Sequence, residues 1–589
     1  LVRETAIVGA IERGRGAAPE LISAAALDKA MRPEAVKDRT GLSLTKGQAA
    51  GARHMLQSRD RYAVVEGLAG VGKTTALRVT NDVAERHGLH IFGIASQHRF
   101  AEEIRKAGVG AATVESFLRK AERAMEVGGQ RLERLRANFA KTILMVDESS
   151  TITNETMYRL VNVVDGLRIP AVRFQGDRGQ LGGPGAGNPF KAIIDRKADR
   201  VMMDEILRQS QAPTHLRDAV QRMGEGKFKE GLTLLRPNIE SVGRDADQAA
   251  IADRVVSAYL EMQAQRDTQI VVATNAMRGL VSARLRNQLQ DSGALSRSER
   301  EVDRLYAKNL SRAEQVDARF YALGDKIVSN DAFAGAATPR HMVETIVGVD
   351  RDNNMLKVRS DKGRERMVDL NDEAARRSPS FSTFTERAHP IAAGDRMVWE
   401  ARFSDRGYER GGSFSIVAMD SKAVTIRHEG QGAMAGKVEK LSATDEALRF
   451  SGYGYAMTAD RAQGSTFKGV VFEMSSKLGE AANMARLYVM SSRLAEDAKM
   501  ITDDLSRTAQ LILRQDGQKL VALDEIRRAE AELRKDDAKT GATASEKDKE
   551  FSKSMDKGMS SSGGAGAERP KTRTKERDTQ IQQQQNLGL

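Results

Sequence analysis

One octapeptide limits what this chain can fold into more than any other feature: Gly67-Leu-Ala-Gly-Val-Gly72-Lys73-Thr74. It fits the spacing G-x-x-x-x-G-K-[ST] at every fixed position. A strand-like run, Tyr62-Ala-Val-Val-Glu66, precedes it. A helix-compatible stretch from Thr74 to His87 follows, with Gly88 placed as its C-terminal cap. That strand–loop–helix context is what separates the motif from a glycine-rich turn with a chance lysine. Glycines let backbone N–H groups turn inward around phosphates, and the helix N-terminus adds its positive end. The expected ligand is therefore ATP with Mg²⁺. Lys73 would reach the β and γ phosphates and the Thr74 hydroxyl would hold the metal. Gly67, Gly70, Gly72 and Thr75 complete the cradle.

Alternation around the motif predicts an α/β fold. Further buried strands are expected at Ile91–Ala95, Thr142–Val146 and Ala171–Phe174, separated by helical stretches. This pattern predicts a parallel sheet covered on both faces. A second α/β region begins near 206, with strands expected at Gln269–Ala273, Gly469–Glu473 and Leu487–Met490. Between them, 311–445 carries short alternating runs with turn residues, the pattern of a small β-barrel. The expected units are a helical leader over 1–43, a first domain over 44–205 and a second over 206–310 that resumes at 446–515. The insert 311–445 interrupts the second domain, and a charged helix (516–540) and a disordered tail (541–589) follow it. The tail has Ser/Gly clusters, mixed charge and the run Gln582–Gln585.

Composition excludes several chemistries. The 589 residues contain no cysteine, so disulfides, thiolate zinc sites, Fe–S clusters and cysteine nucleophiles are all ruled out. No run of about 18 uncharged apolar residues exists to span a membrane. The net charge of +12 favours a polyanionic partner. Leu1 is not preceded by an initiator methionine and no signal-peptide pattern follows, so the chain reads as an internal or C-terminal piece of something longer.

Val146-Asp147-Glu148 ends a predicted strand about seventy residues beyond the loop. A second carboxylate of a phosphate site is expected on a strand next to the loop, with Asp147 holding Mg²⁺ and Glu148 activating the attacking water. Further motifs follow in order. They are Leu44-Thr45 with Gln48; Ala95-Ser96 and Thr113-Val-Glu-Ser-Phe117; Gly176-Asp177-Arg-Gly-Gln180-Leu181 with Gly187 and Phe190; Ile206-Leu-Arg208-Gln209; Tyr455-Ala-Met-Thr458 with Gln463-Gly464-Ser-Thr-Phe467; and Leu487-Tyr-Val-Met-Ser-Ser-Arg493.

Together these motifs resemble the RecD-like branch of superfamily-one helicases, over about 44–505. The resemblance implies two RecA-like motor domains with parallel sheets and an SH3-like barrel inserted in the second. It implies that Gln48 reads adenine, that Gln180 senses the γ-phosphate, and that Arg208 and Arg493 stabilise the transition state. Gly464 would join the nucleotide-binding set. Ser96, Thr113, Phe117, Phe190, Tyr455, Thr458 and Gln463 would line a single-stranded DNA track, with the three aromatics as stacking platforms.

A narrower resemblance is to the helicase portion of TraI/TrwC-type conjugative relaxases. It is carried by Ala17-Ala-Pro19, by Arg61-Tyr-Ala-Val-Val-Glu-Gly67 and by the stretch from Gly394-Asp-Arg-Met-Val-Trp399 into Gly454-Tyr455-Ala-Met-Thr458. It implies an ATP-hydrolysing 5′→3′ helicase that unwinds plasmid DNA in the bacterial cytoplasm. It also implies partners in single-stranded and duplex DNA, a type IV secretion coupling protein and accessory relaxosome proteins, and translocation into a recipient cell. Nicking is not expected of this chain: its eight histidines form no H-x-H cluster, and His87 and His90 straddle Gly88. Two alternatives stay open, a RecD-like repair helicase and a non-catalytic single-strand-binding or secretion-signal module. Two departures from the pattern stand out: Asp460-Arg461, where His-Lys is frequent, and Arg178-Gly179, where Pro-Lys is frequent.

Overall fold

The computed structural model describes residues 2–183, 185, 187–329, 343–372, 381–403, 405–430, 434–519, 521 and 524. The first domain is built on six strands: β1 (Tyr62–Gly67), β2 (His90–Ala95), β3 (Gly110–Thr113), β4 (Thr142–Asp147), β5 (Ala171–Gly176) and β6 (Asp199–Met203). All pairs are parallel, in the order β3-β2-β4-β5-β1-β6. β1 and β5 are buried along their whole length, as strands covered by helices on both faces must be. The two edges, β3 and β6, were missed by the sequence reading. Gly110-Ala-Ala-Thr113 and Asp199-Arg-Val-Met-Met203 carry no apolar run of their own.

One expectation is corrected here. Asp147 ends β4, but β4 is not the neighbour of β1, because β5 lies between them. The intervening strand supplies a polar side chain to the site, as described below.

The leader helices are Val2–Arg13, Ala24–Ala30 and Pro33–Thr40. Ile7 and Ile11 join the same apolar cluster as Tyr62, Phe174 and Phe190, while Leu27, Met31 and Val36 join Leu56, Leu77 and Val83 on the other face. Pro33 at the first helical position and Gly41 at φ +69° bracket the third helix, the usual asymmetry of proline at the start and glycine past the end.

A second parallel sheet runs in the spatial order Ala456–Thr458, Thr268–Val272, Phe467–Glu473, Leu494–Thr502 and Ile239–Ser241. The strand expected at Leu487–Met490 is corrected: Met484–Ser491 is a helix, capped by the Asn483 side chain, which accepts from the Arg486 N–H. A short, wholly buried apolar run has no period to distinguish strand from helix, and Leu487, Tyr488, Val489 and Met490 are all buried.

The antiparallel strands between the two halves of this sheet run from Glu299 to Tyr453 and form two sheets rather than one small barrel. Six strands make the first, from Glu299–Ala307 through Phe381–Ala392, and five the second, from Arg396–Trp399 through Ser451–Tyr453. Among the described residues no pairing closes either sheet on itself. The two share an apolar core centred on Trp399, which stacks between Tyr408 at 4.6 Å and Phe414 at 4.1 Å. A buried clamp joins this insert to the second domain. Arg286, on the helix Asn275–Asp291, holds Asp395 through Nε–Oδ1 at 3.0 Å, and the Tyr455 hydroxyl donates to Oδ1 at 2.7 Å. The chain over Gln515–Lys519 is not helical. The rest of the 516–540 helix, apart from Val521 and Asp524, and all of the 541–589 tail lie outside the described residues.

Candidate functional site

The phosphate loop leaves β1 and enters the helix Lys73–Arg86. Gly70 and Gly72 sit at φ +87° and +77°, conformations that favour glycine. A Cβ on Gly70 would stand 2.6 Å from the Arg208 Cβ, so the loop and Arg208 touch. The N–H groups of Leu207 and Arg208 both donate to the Gly70 carbonyl, at 3.0 and 3.1 Å. Lys73 Nζ donates to the Gly67 carbonyl at 2.8 Å, holding the ammonium inside the loop. Thr74 is exposed at the mouth, and the Thr75 N–H donates to the Gly72 carbonyl.

Asp147 and Glu148 lie across the loop at the end of β4. Burial and the charge of Glu148 push the Asp147 carboxyl up to about 6, against the pull of Lys73 and of Gln175. Gln175, on β5, donates to Asp147 Oδ1 at 3.0 Å. Glu148 has φ +47°, an unusual conformation for a residue with a side chain. Its Oε2 is buried and accepts no hydrogen bond. Such strain and such an orphaned oxygen gather at functional positions.

The second domain closes on this arrangement. Arg208 Nη1 donates to the Ser492 carbonyl at 2.9 Å, and Gln209 Nε2 donates to the carbonyls of Ser492 and Leu494. Arg493 is 1% exposed, and its Nε donates to the Val489 carbonyl at 2.9 Å. Burial and the neighbouring Arg208 push its guanidinium down to about 9, while Glu148 pulls the other way. Burial likewise lowers Arg208. Neither arginine has a carboxylate ion pair among the described residues. The Tyr488 hydroxyl accepts from the Ala69 N–H of the loop at 3.0 Å and donates to Asp177 Oδ2 at 2.8 Å. Gln180 Nε2 donates to the same oxygen at 3.1 Å, and Gln463 Nε2 donates to Gln180 Oε1 at 3.0 Å. Lys73, Thr74, Asp147, Glu148, Gln180, Arg208 and Arg493 thus gather around one cleft.

Several expected residues stand elsewhere. The amide of Gln48 is used at both ends: Oε1 accepts from the Thr45 N–H at 3.0 Å and Nε2 donates to the Val71 carbonyl at 3.0 Å. It braces the helix Lys46–Gln57 and the loop, so the amide is engaged within the protein at both ends. The three stacking platforms are corrected as well. Phe117 packs edge-on against Phe139 at 5.6 Å, Phe190 is wholly buried in the same cluster, and Tyr455 is spent on Asp395. An aromatic must show a face to stack on a base, and these show none. Ser96 pairs with Thr151 at 2.7 Å, and Thr113 caps the helix Val114–Val127. Thr458 is half-buried at the N-cap of Ala459–Ala462. Gly464, at φ +84°, lies under Phe100 of the first domain.

Tyr488, Asp177 and Gln175 were missed as site residues. Tyr488 and Asp177 sit inside motifs read for a neighbour, but their partners are hundreds of positions away in sequence.

Residues 43–239 match the AAA domain family. Over 510 residues the chain is 25% identical to the multifunctional conjugation protein TraI of Escherichia coli K12, covering 78% of this chain and 27% of that protein. The chain is similar to the TraI conjugation proteins over most of its own length. The likeness read from the motifs is thereby borne out. The conjugal transfer protein TraA of Agrobacterium fabrum is 26% identical over 317 residues, 52% of this chain and 26% of its own. The chain spans about a quarter of the length of these TraI and TraA relatives. Among solved structures, Pif1 helicase from work on unwinding at forked duplex DNA covers 83% of this chain and 97% of its own, at 14% identity and TM-score 0.43. Pif1 helicase from Candida albicans covers 79% and 96%, at 14% identity and TM-score 0.39. No described helix is long and apolar enough to cross a membrane.

Proposed function

We propose that this chain is an ATP-driven motor on single-stranded DNA, moving 5′→3′ and unwinding plasmid DNA during conjugative transfer. The observation that carries the reading is a charge imbalance. Two guanidiniums, Arg493 wholly buried and Arg208 half-buried, face the phosphate loop without an ion pair, opposite a carboxylate whose Oε2 has no partner. Buried charges need compensation, and a γ-phosphate between loop and arginines supplies it.

The roles follow. Lys73 exchanges the Gly67 carbonyl for the β and γ phosphates. Glu148, with a free buried oxygen, orients and deprotonates the attacking water. Arg208 and Arg493 stabilise charge building on the transferred phosphoryl group. Gln180, tied to Gln463 and Asp177, reports whether a γ-phosphate is present. Thr74 and Asp147 would hold Mg²⁺, and the pair Asp147–Glu148 fits a divalent cation, since burial and the charge of Glu148 raise the Asp147 carboxyl and a cation would relieve that repulsion. The metal would neutralise charge between the β and γ phosphates. Arginines brought across a cleft make closure depend on ATP and opening depend on hydrolysis. That cycle moves two DNA-gripping domains against each other.

Strand displacement on 5′-tailed and 3′-tailed duplexes tests this, with DNA-stimulated ATP hydrolysis measured alongside. Unwinding is expected only from the 5′ tail, and Lys73→Ala should abolish both activities while still binding single strands. Unwinding from the 3′ tail alone would overturn the polarity. Full activity in Lys73→Ala would overturn the mechanism, and no DNA-stimulated hydrolysis would leave a binding module.

A further inference from the structure

A second charge imbalance lies away from the phosphate loop. Five arginines from three parts of the chain lie close together, and three of them, Arg278, Arg304 and Arg461, are near the Glu400 carboxylate. Arg99 comes from the first domain, Arg278 and Arg461 from the second, and Arg304 and Arg410 from the insert, which also carries Glu400. Glu400 Oε1 stands 3.0 Å from Arg304 Nη2 and 3.8 Å from Arg278 Nη1. Arg99 Nη1 donates to the backbone carbonyl of Arg461 at 2.6 Å, which ties the two domains together at this point.

Arg461 is the least compensated of the five. Its guanidinium is half-buried and makes no hydrogen bond or ion pair with any described residue. Burial pushes it down to about 10. Glu400 opposes that shift, and Arg278, Arg410 and Arg99 add to it. Two further nitrogens of the cluster, Nε of Arg99 and Nε of Arg304, are buried without an acceptor. Glu400 pairs with two of the five and Glu148 stands near Arg99, so positive groups outnumber negative ones and two buried donors lack an acceptor. A half-buried excess of positive charge favours an anion that can meet it.

Resting on the reading of the chain as a DNA motor, we propose that this cluster grips the sugar–phosphate backbone of single-stranded DNA and that Glu400 occupies a phosphate position within it. The insert would thus carry an internal competitor for its own substrate: a carboxylate that satisfies Arg278 and Arg304 until a phosphate displaces it. A backbone suits the cluster better than an isolated phosphate. The donors come from three parts of the chain and not from one loop, and guanidiniums offer paired donors that match phosphate oxygens. The arrangement also absorbs Arg461, a departure from the family pattern that no role in hydrolysis explains.

Fluorescence anisotropy with an oligothymidylate of about twenty nucleotides, without nucleotide and across a salt series from about 50 mM, tests the proposal on the full chain. Inorganic phosphate serves as competitor. Glu400→Gln should bind roughly threefold tighter or better, because a like charge leaves the phosphate path. Arg461→Met should bind more weakly and flatten the log–log salt slope by about 0.7, the value for one phosphate contact on a single strand. Arg410 is exposed, so Arg410→Ala tests the same path without a folding risk and should also weaken binding. Unchanged or weaker binding by Glu400→Gln overturns the competitor role. Unchanged slopes in both arginine variants overturn the grip, as does competition by phosphate at millimolar levels. If the unaltered chain binds DNA and hydrolyses ATP while the variants behave like it, this inference alone fails. If the unaltered chain does neither, the motor reading fails with it.

Discussion

Removing one oxygen, in Tyr488→Phe, should uncouple the two domains. The hydroxyl is wholly buried, accepts from the Ala69 N–H at 3.0 Å and donates to Asp177 Oδ2 at 2.8 Å. Its acceptor is a carboxylate, and hydrogen bonds to charged groups contribute about 1.5–3 kcal/mol. Asp177 keeps Gly179 N–H and Gln180 as donors, so the carboxylate is not left bare and the loss stays near that range. At 1.4 kcal/mol per factor of ten, this shifts the closed-to-open equilibrium by about 10- to 150-fold. If hydrolysis needs the closed cleft, maximal DNA-stimulated turnover falls by about tenfold or more. Single-strand affinity without nucleotide changes little. The clean assay is a double-mutant cycle of Tyr488→Phe and Asp177→Asn on kcat. The coupling energy should be about 1.5–3 kcal/mol. Additive losses, or turnover within about twofold of the unaltered chain, would refute the claim that this contact holds the cleft shut.

Other substitutions test other links. Arg493→Ala should lower kcat by about a thousandfold with a much smaller effect on nucleotide affinity, as measured by steady-state hydrolysis. Asp395→Ala leaves Arg286 with Glu299 as its remaining carboxylate and takes the acceptor from the Tyr455 hydroxyl, and should cost about 1.5–3 kcal/mol in denaturant unfolding followed by the Trp399 fluorescence of the insert core. His389 is 4% exposed beside Arg304 and Arg286, and burial first, then those charges, push it down to about 3. Between that value and its ordinary 6.5 the unfolded chain binds a proton that the folded chain refuses. Stability is therefore lost as pH falls below 6.5, by about 2 kcal/mol at pH 5. His389→Phe should show a correspondingly flatter pH dependence of melting between pH 7 and 5.

What the sequence disclosed depended on how local each signal was. The phosphate loop and the Asp147–Glu148 pair were legible because in each case the polar groups directly follow a buried apolar strand in sequence. The edges β3 and β6 were not, since an edge strand needs no apolar run of its own. Leu487–Met490 misled because complete burial erases the periodicity that separates helix from strand. Aromatics such as Phe117 and Phe190 misled for a related reason: composition shows that a ring is present, not that its face is free. Least legible were the bonds that make the site a site. Tyr488 to Asp177, Gln463 to Gln180 and Arg208 to Ser492 each join residues close to 300 positions apart. No single-sequence pattern reports such pairs, and only folding brings them together.

The segment Ala459–Gly464 gives these pieces a common axis. It is barely a turn and a half long, yet three of its residues reach three different places. Arg461 lies in the arginine cluster, Gln463 bonds the sensor Gln180, and Gly464 packs under Phe100, whose neighbour Arg99 bonds the Arg461 carbonyl. On the motor reading, a phosphate of DNA and a γ-phosphate of ATP would therefore both bear on the same short piece of backbone. So short a segment cannot shift at one end without moving the other, since packed interfaces have discrete arrangements and do not deform continuously. Stimulation of hydrolysis by DNA then requires no long pathway. On that reading, a strand engaged by Arg461 would bear on the same backbone that carries Gln463, whose amide already bonds Gln180.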